Sequence, residues 1–156
     1  MRAAVFSDTH SNTALMLKKI RQVSPDVVIH LGDYERDADK IRAEFPEISL
    51  FSVCGNCDIV HTMPETDIVP LGPVKAFITH GHLYSVDWGR LDSLVYAAQE
   101  KGAKIALFGH THNAVYEEIG GVKVVNPGTA GKGSCLTYAL IEVMDNGGIA
   151  CEIKEL

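Results

Sequence analysis

Seven side chains with metal-binding atoms follow short apolar segments, at places where the predicted strands end. They are two carboxylates, one amide and four imidazoles: Asp8, His10, Asp33, Asn56, His80, His110 and His112. The strand ends of an α/β sheet meet along one edge, and binding sites form there. Two divalent metal ions a few ångströms apart would use such a ligand set, and the reaction that suits this arrangement is hydrolysis of phosphate esters.

The spacing within the set indicates that neighbouring members could bind the same metal ion. Asp8 and His10 are separated by one residue just past a strand, and alternate side chains of an extended chain point the same way. His110 and His112 repeat this spacing, so they could serve one metal each. Asp33 is the expected bridging ligand, because a carboxylate can hold two ions through its two oxygens.

Each of these residues alone would be interpreted as structural. An isolated Asp after a strand is more often a cap or turn residue, an isolated His is more often a hydrogen-bonded structural residue, and an Asn beside Gly is typical of a turn. Seven of them at successive strand ends favour a metal site. His30 and His61 fall outside the pattern and are expected to be structural.

Two further residues are candidates for supporting roles. His82 lies two residues past His80 and could contact the substrate phosphate or support the metal ligands. Asp58 is expected to hydrogen-bond to a ligating or nearby histidine, as carboxylates around metal sites do. The segment Asn126-Pro127-Gly128 is expected to be a turn that leaves a strand, and it could also form a rim of the site.

Composition places the chain among ordinary globular proteins. Its 156 residues, 46% hydrophobic and 22% charged, fit one domain over residues 1–156. No apolar segment approaches the ~20 residues of a membrane span, and the N-terminus is expected to be a first strand, not a signal peptide. We therefore expect a cytoplasmic protein without membrane contact.

The formal net charge of −6 argues against a strong grip on nucleic acid, which needs a basic face. It leaves room for a small anionic substrate, because bound cations would reverse the sign of the charge in the site.

Hydrophobic periodicity predicts strands and helices that alternate first and antiparallel strands later. Helices are predicted at residues 12–23, capped by Ser11 or Asn12, at 37–45 and at 91–101. Strands are predicted at residues 3–7, 27–31, 48–54, 68–71, 74–79, 104–108, 115–119, 122–125, 136–143 and 149–153. This order predicts an α/β fold, a four-layer αββα sandwich of two mixed sheets flanked by helices.

Cys54 and Cys57 form a Cys-x-x-Cys segment, which could be a redox pair or half of a zinc site. The absence of a second Cys or His pair at zinc spacing argues against the zinc site. The absence of a helical pattern after the segment argues against the redox pair, so we favour neither function. Cys135 and Cys151 lie in strand-like segments and are expected to be buried small hydrophobes.

The ordered motifs resemble those of the calcineurin-like metallophosphoesterase superfamily, and the small size resembles its short YfcE-like phosphodiesterase branch. The matching blocks are Asp8-Thr9-His10, Gly32-Asp33, Gly55-Asn56-Cys57-Asp58, His80 and Gly109-His110-Thr111-His112. The resemblance implies one metal held by Asp8, His10 and His112. It implies a second held by Asn56, His80 and His110, with Asp33 as the bridge.

The same resemblance implies a phosphodiesterase in which a metal-activated water or hydroxide attacks a small phosphodiester or nucleotide-like substrate. Asp33, Asn56 and His80 would then be catalytic through the metals they hold. Mn²⁺ is the first choice of ion, with Ni²⁺, Zn²⁺, Fe or Co²⁺ as alternatives that a mixed nitrogen and oxygen ligand set also accepts.

One residue departs from the family pattern. Much of the superfamily has a His after the motif Asn, where it helps protonate the leaving group, and this chain has Cys57. A thiol with a pKa near 8.5 is a poor proton donor at neutral pH compared with an imidazole near 6.5. We therefore expect substrates with acidic leaving groups to react best.

Three other functions remain open from the sequence. The same site could serve a phosphomonoesterase or nucleotidase, although Arg36 is the sole arginine close to a motif. The fold could serve as a non-catalytic interaction scaffold, as in a retromer relative of the family, although every ligand position is filled here. A redox protein built on Cys54 and Cys57 is the third. The sequence leaves open whether the protein forms homo-oligomers.

Overall fold

A computed structural model describes all 156 residues. The helices are α1 (Ala14–Val23), α2 (Glu35–Glu44) and α3 (Asp92–Glu100), and two 3₁₀ turns lie at His82–Tyr84 and Val86–Trp88. The strands are β1 (Arg2–Phe6), β2 (Val27–His30), β3 (Ser49–Ser52), β4 (Thr66–Leu71), β5 (Val74–Thr79), β6 (Ile105–Leu107), β7 (Ala114–Ile119), β8 (Val122–Pro127), β9 (Thr137–Val143) and β10 (Ile149–Glu155).

The strands form two five-stranded mixed sheets. The first has the order β10-β9-β1-β2-β3, with parallel pairing of β1, β2 and β3. The second has the order β4-β5-β6-β8-β7, with parallel pairing of β5, β6 and β8. Parallel neighbours require crossover connections, which α1, α2 and α3 supply. The carboxyl ends of β1, β2, β3, β5 and β6 therefore carry the loops in which the motifs lie.

Alternation along the strands separates two kinds of packing. Ala3 and Val5 of β1 face the second sheet and belong to the core between the sheets. Ala4 and Phe6 face the other way and pack beneath α1, against Met16. The second sheet packs in the same manner against α3 on its outer face. The predicted αββα sandwich is confirmed.

The start of α1 differs from the prediction. The helix begins at Ala14 with Thr13 as N-cap and has no side-chain cap, so the expected cap by Ser11 or Asn12 was wrong. The Ser11 N–H instead donates to the buried carboxylate of Asp37 at 2.7 Å, and the Asn12 amide donates to the Gly131 carbonyl. The loop after β1 is thus tied to its neighbours and cannot cap the helix.

Helix α2 begins two residues earlier than predicted, at Glu35.

No helix of the chain is both long and apolar enough to cross a membrane.

Candidate metal centre

The structure brings the predicted ligands to one edge of the sandwich. Asp8 follows β1, Asp33 follows β2, and His80 follows β5. Asn56 lies in the loop after β3, and the segment with His110 and His112 follows β6. The juxtaposition arises because parallel strands of both sheets end at this edge.

Asp8, His10 and His112 form the first group of potential ligands. The Nε2 atom of His112 lies 3.2 Å from Asp8 Oδ1 and 3.3 Å from His10 Nε2. Asp8 is buried, and its Oδ1 atom has no hydrogen-bond partner. An unpaired buried carboxylate oxygen is costly, and two imidazole nitrogens facing it complete a nitrogen and oxygen donor set that fits a divalent cation.

His80 is the centre of the second group. Its Nδ1 atom lies 2.7 Å from the Leu31 carbonyl, an acceptor, so Nδ1 carries the hydrogen. The Nε2 lone pair then faces oxygens of Asn56 at 3.0 Å and Asp33 at 3.3 Å. A divalent cation among these atoms would give the lone pair and both oxygens a shared partner, so this group fits a second ion.

Asp33 lies between the two groups. Its Oδ2 atom is 3.6 Å from His10 Nε2, and its Oδ1 atom is 3.3 Å from His80 Nε2. Burial opposes ionisation of this carboxyl, but the neighbouring His80 ring and hydrogen bonds from Cys57 lower its pKa below the ordinary value. The ionised carboxylate with one oxygen toward each group has the placement that a bridging ligand needs.

His110 lies at the side of the centre. Its Nε2 atom is 2.9 Å from Asp87 Oδ2, and its backbone N–H donates to Asp8 Oδ2 at 3.1 Å. The His110 ring centroid is 5.1 Å from that of His80. Asp87 was missed in the sequence because no motif contains it. With Nε2 bonded to Asp87, Nδ1 is the unpaired nitrogen of His110, and His110 lies outside the groups of side chains whose ligand atoms converge within 4.8 Å.

Asp58 does not contact a histidine, so that expectation was wrong. Its carboxylate accepts hydrogen bonds from the N–H groups of Gly55 and Glu35, both at 2.8 Å. It therefore holds the loop that carries Asn56. The cause is local, since Asp58 closes the turn three residues after Gly55 and reaches the start of α2 with its other oxygen.

His82 borders the centre, with its ring 5.5 Å from that of His80 and 6.2 Å from that of His110. Burial, together with the neighbouring rings of those two histidines, lowers its pKa. Its Nδ1 atom is buried without a hydrogen-bond partner. His61 hydrogen-bonds the Met63 carbonyl in an exposed loop, consistent with a structural role.

Asn126 is a positioning residue that the sequence did not identify as such. It lies at the end of β8, not in a turn, and its buried amide donates to the Gly109 carbonyl at 2.8 Å and to Thr111 Oγ1 at 3.1 Å. The turn begins at Gly128, whose N–H donates back to Asn126 Oδ1. Asn126 thus holds the loop that carries His110 and His112.

A buried network supports the first loop. Thr9 Oγ1 donates to Asp37 Oδ2 at 2.8 Å, so it accepts from His30 Nε2 at 3.1 Å. Burial lowers the pKa of His30 to about 4, which keeps its imidazole neutral. His30 is structural, as expected, and it anchors the residue between Asp8 and His10.

The backbone is strained where the ligands lie. Five candidate ligands have positive φ angles between 44° and 68°: Asp8, His10, Asp33, His110 and His112. Non-glycine residues rarely adopt this region, and such conformations cluster at functional sites. Two nearby glycines permit close approach: a Cβ on Gly109 would lie 1.9 Å from Ser7 Oγ, and one on Gly55 would lie 2.2 Å from Asp33 Oδ1.

The cysteines are all free. Burial, followed by the nearby Asp33 carboxylate, raises the pKa of Cys57 to about 11, and burial also raises the pKa of Cys54. These pKa shifts disfavour the thiolate that redox chemistry needs. Cys135 is exposed and Cys151 is half-buried, so the prediction that both are buried was wrong for Cys135.

Comparison with known proteins agrees with this geometry. Residues 1–146 match the calcineurin-like phosphoesterase superfamily domain. The chain is 30% identical to the probable metallophosphoesterase YsnB of Bacillus subtilis over 132 residues, covering 83% of this chain and 75% of that protein. It is 29% identical to phosphodiesterase MJ0936 of Methanocaldococcus jannaschii over 145 residues, covering 82% and 83%.

Among solved structures, Vps29 of Entamoeba histolytica in complex with Zn²⁺ superposes with a TM-score of 0.78 at 22% identity, and 99% of each chain is covered. At this identity the match concerns the fold. The family match spans nearly the whole chain, so this chain belongs to the calcineurin-like phosphoesterase superfamily.

Proposed function

We propose that this chain is a phosphodiesterase that uses two divalent metal ions. The observation that carries the proposal is the position of Asp33, with one carboxylate oxygen toward the Asp8, His10 and His112 group and the other toward His80 and Asn56. We assign His110 to the second group through Nδ1, because its Nε2 is bonded to Asp87. Such ions, when bound, polarise the phosphate and lower the pKa of water, which supplies the nucleophile.

Hydrogen bonds within the chain orient the candidate ligands and hold the loops that carry them. The Leu31 carbonyl fixes the tautomer of His80, so that its lone pair faces the ion. Asp58 and Asn126 hold the two loops on which Asn56, His110 and His112 lie. His82 borders the centre, with its ring 5.5 Å from that of His80 and 6.2 Å from that of His110, and we assign it contact with a phosphate oxygen.

We favour a diester over a monoester because Arg36, the arginine that lies close to the Asp33 motif in the sequence, is engaged at the surface. Arg36 is exposed, donates to Ser11 Oγ at 3.1 Å, and its guanidinium lies 5.1 Å from the Tyr34 ring. A terminal phosphate dianion would need more such groups to hold its extra charge. The monoesterase remains the alternative activity of the same residues.

Hydrolysis of bis-p-nitrophenyl phosphate and of p-nitrophenyl phosphate tests the proposal. Metal-stripped protein would be assayed alone and after addition of Mn²⁺, Ni²⁺ or Zn²⁺, with bound metal counted by mass spectrometry. We expect turnover that requires metal, favours the diester and saturates at two ions per chain. Preference for the monoester would move the assignment to a phosphomonoesterase.

A second candidate, an interaction scaffold, is favoured by the fold match to Vps29 and by two exposed apolar residues near the site. Ile59 and Val60, in the loop after Asn56, are 93% and 92% exposed. Two bound ions without turnover of either ester would support this candidate.

A further inference from the structure

A cleft of about 390 Å³ lies between the start of α3 and the edge strand β7, beside the metal centre. Two of its lining residues belong to the surroundings of the centre: Asp87 contacts His110, and Thr111 lies between His110 and His112. A substituent on a phosphate held at the centre could therefore extend into the cleft. Its volume lies in the range of small-molecule sites.

The walls of the cleft are apolar and its charges are negative. Phe108, Leu91 and Val115 contribute apolar surface, while Asp87, Asp92 and Glu117 contribute carboxylates. No Lys, Arg or His lines the cleft. Asp92 and Glu117 are exposed and form no ion pair. Their charge is therefore available to a ligand.

We propose that this cleft binds the alcohol portion of the phosphodiester and selects an ammonium-bearing alcohol. The inference rests on the proposed phosphodiesterase function. Apolar walls suit the methylene or methyl groups of such an alcohol, and the carboxylates attract its positive charge. An alcohol with a further phosphate or carboxylate would meet repulsion from all three carboxylates.

Three p-nitrophenyl diesters that share one leaving group test the selection. Their second alcohols are choline, its neutral carbon isostere 3,3-dimethylbutanol, and an anionic 3-hydroxypropionate. Because exposed charge pairs are individually weak, we expect kcat/KM for the choline ester to exceed that for the isostere by about tenfold, with the anionic ester the slowest. Added salt should reduce the preference.

The double substitution Asp92→Asn with Glu117→Gln should bring the ratio of choline ester to isostere close to one. Its matched control is Asp145→Asn with Glu47→Gln, which removes the same charge from two exposed positions outside the cleft and should keep the ratio. A ratio near one in the natural chain, or one that falls equally in both double variants, would overturn the proposal.

A binding measurement separates this proposal from the proposed function. In Zn²⁺-loaded protein, phosphocholine should shift the backbone amide NMR signals of Gly89, Leu91 and Asn113 more than 3,3-dimethylbutyl phosphate does. Absence of diester hydrolysis with these shifts present would reject the phosphodiesterase and retain the cleft. Hydrolysis of bis-p-nitrophenyl phosphate without choline selectivity or these shifts would do the reverse.

Discussion

At the scale of single residues, the centre depends on a few side chains whose partners fix their chemistry. Asp33 faces ligand atoms on both sides, and His80 has its hydrogen fixed on Nδ1 by Leu31. His110 has its Nε2 bonded to Asp87. Each arrangement predicts a separate consequence for metal binding or turnover.

Replacement of Asp33 should remove both ions together. The Asp33→Ala variant is expected to bind less than one ion per chain and to lose diester hydrolysis, because both groups share this carboxylate. Bound metal would be measured by mass spectrometry after desalting, and folding by circular dichroism. A folded variant that kept two ions and full turnover would remove Asp33 as the bridge.

Asp87 should strengthen binding of the second metal ion by holding the His110 ring in place. A carboxylate bonded to the far nitrogen of a ligating imidazole orients the ring, and its loss typically weakens metal binding by about 10- to 100-fold. We expect Asp87→Asn to weaken binding of the second Zn²⁺ to this extent in a competition titration with a chelator. Asp67→Asn, at an exposed position on β4, is the control. Equal affinities in the two variants would contradict the contact.

Cys57 should make the rate depend on the leaving group. Without a proton donor, hydrolysis of aryl phosphodiesters is expected to slow as the pKa of the leaving phenol rises. Cys57→His should accelerate the least acidic leaving groups most. A flat dependence in the natural chain would mean that another group donates the proton.

At the scale of elements, the loops after the strands hold the ligands in strained conformations, and close packing holds the loops. Thr9 is anchored by Asp37 and His30, and the loop after β6 is anchored by Asn126. The path of that loop also requires Gly109, which packs directly on Ser7 and Asp8.

Gly109→Ala should therefore disturb the centre. The added Cβ would lie 1.9 Å from Ser7 Oγ and 2.9 Å from Asp8 Oδ2, and buried Ser7 has no space to move into. Overpacking of this kind costs about 1 to 3 kcal/mol of folding free energy. Urea unfolding would measure the cost. The control is Gly148→Ala, at a half-buried position before β10, where the added Cβ would lie 3.1 Å from Asn146 Oδ1 and Met144 Sδ and should change stability less.

At the scale of the whole molecule, buried polar groups connect the site to global stability. His30 is fully buried at the end of β2, where its Nε2 atom contacts Thr9. Burial keeps its pKa at about 4 in the folded state, against 6.5 for an ordinary imidazole. The unfolded chain therefore binds a proton at His30 at a higher pH than the folded chain does.

Stability should fall in acid because of this residue. The contribution of His30 is complete above pH 6.5 and is lost as the pH falls toward 4, by roughly 3 kcal/mol in all. Urea unfolding of metal-free protein between pH 4 and 7 would measure it against His30→Gln, which cannot titrate. Parallel pH profiles for the two proteins would mean that folding leaves the pKa of His30 unchanged, and would contradict the prediction.

The sequence by itself predicted the sandwich class, the ten strands and the set of candidate metal ligands. These follow from local information, since hydrophobic periodicity marks strands and helices, and each motif directly follows a strand. The start of α1 was predicted wrongly because the side chains of Ser11 and Asn12, expected to cap the helix, have tertiary partners instead: Ser11 Oγ accepts from Arg36, and the Asn12 amide donates to the Gly131 carbonyl.

The tertiary structure alone decided how the ligands are held. Asp87, Asn126 and the network of Thr9, His30 and Asp37 belong to no local pattern, because their partners are distant along the chain. The hydrogen bonds that Asp58 accepts from backbone N–H groups, and the cleft between α3 and β7, likewise depend on packing. Residue types indicate which chemistry this site can support, while long-range contacts set the tautomer of His80, the position of Asp33 between the candidate ligands and the shape of the site.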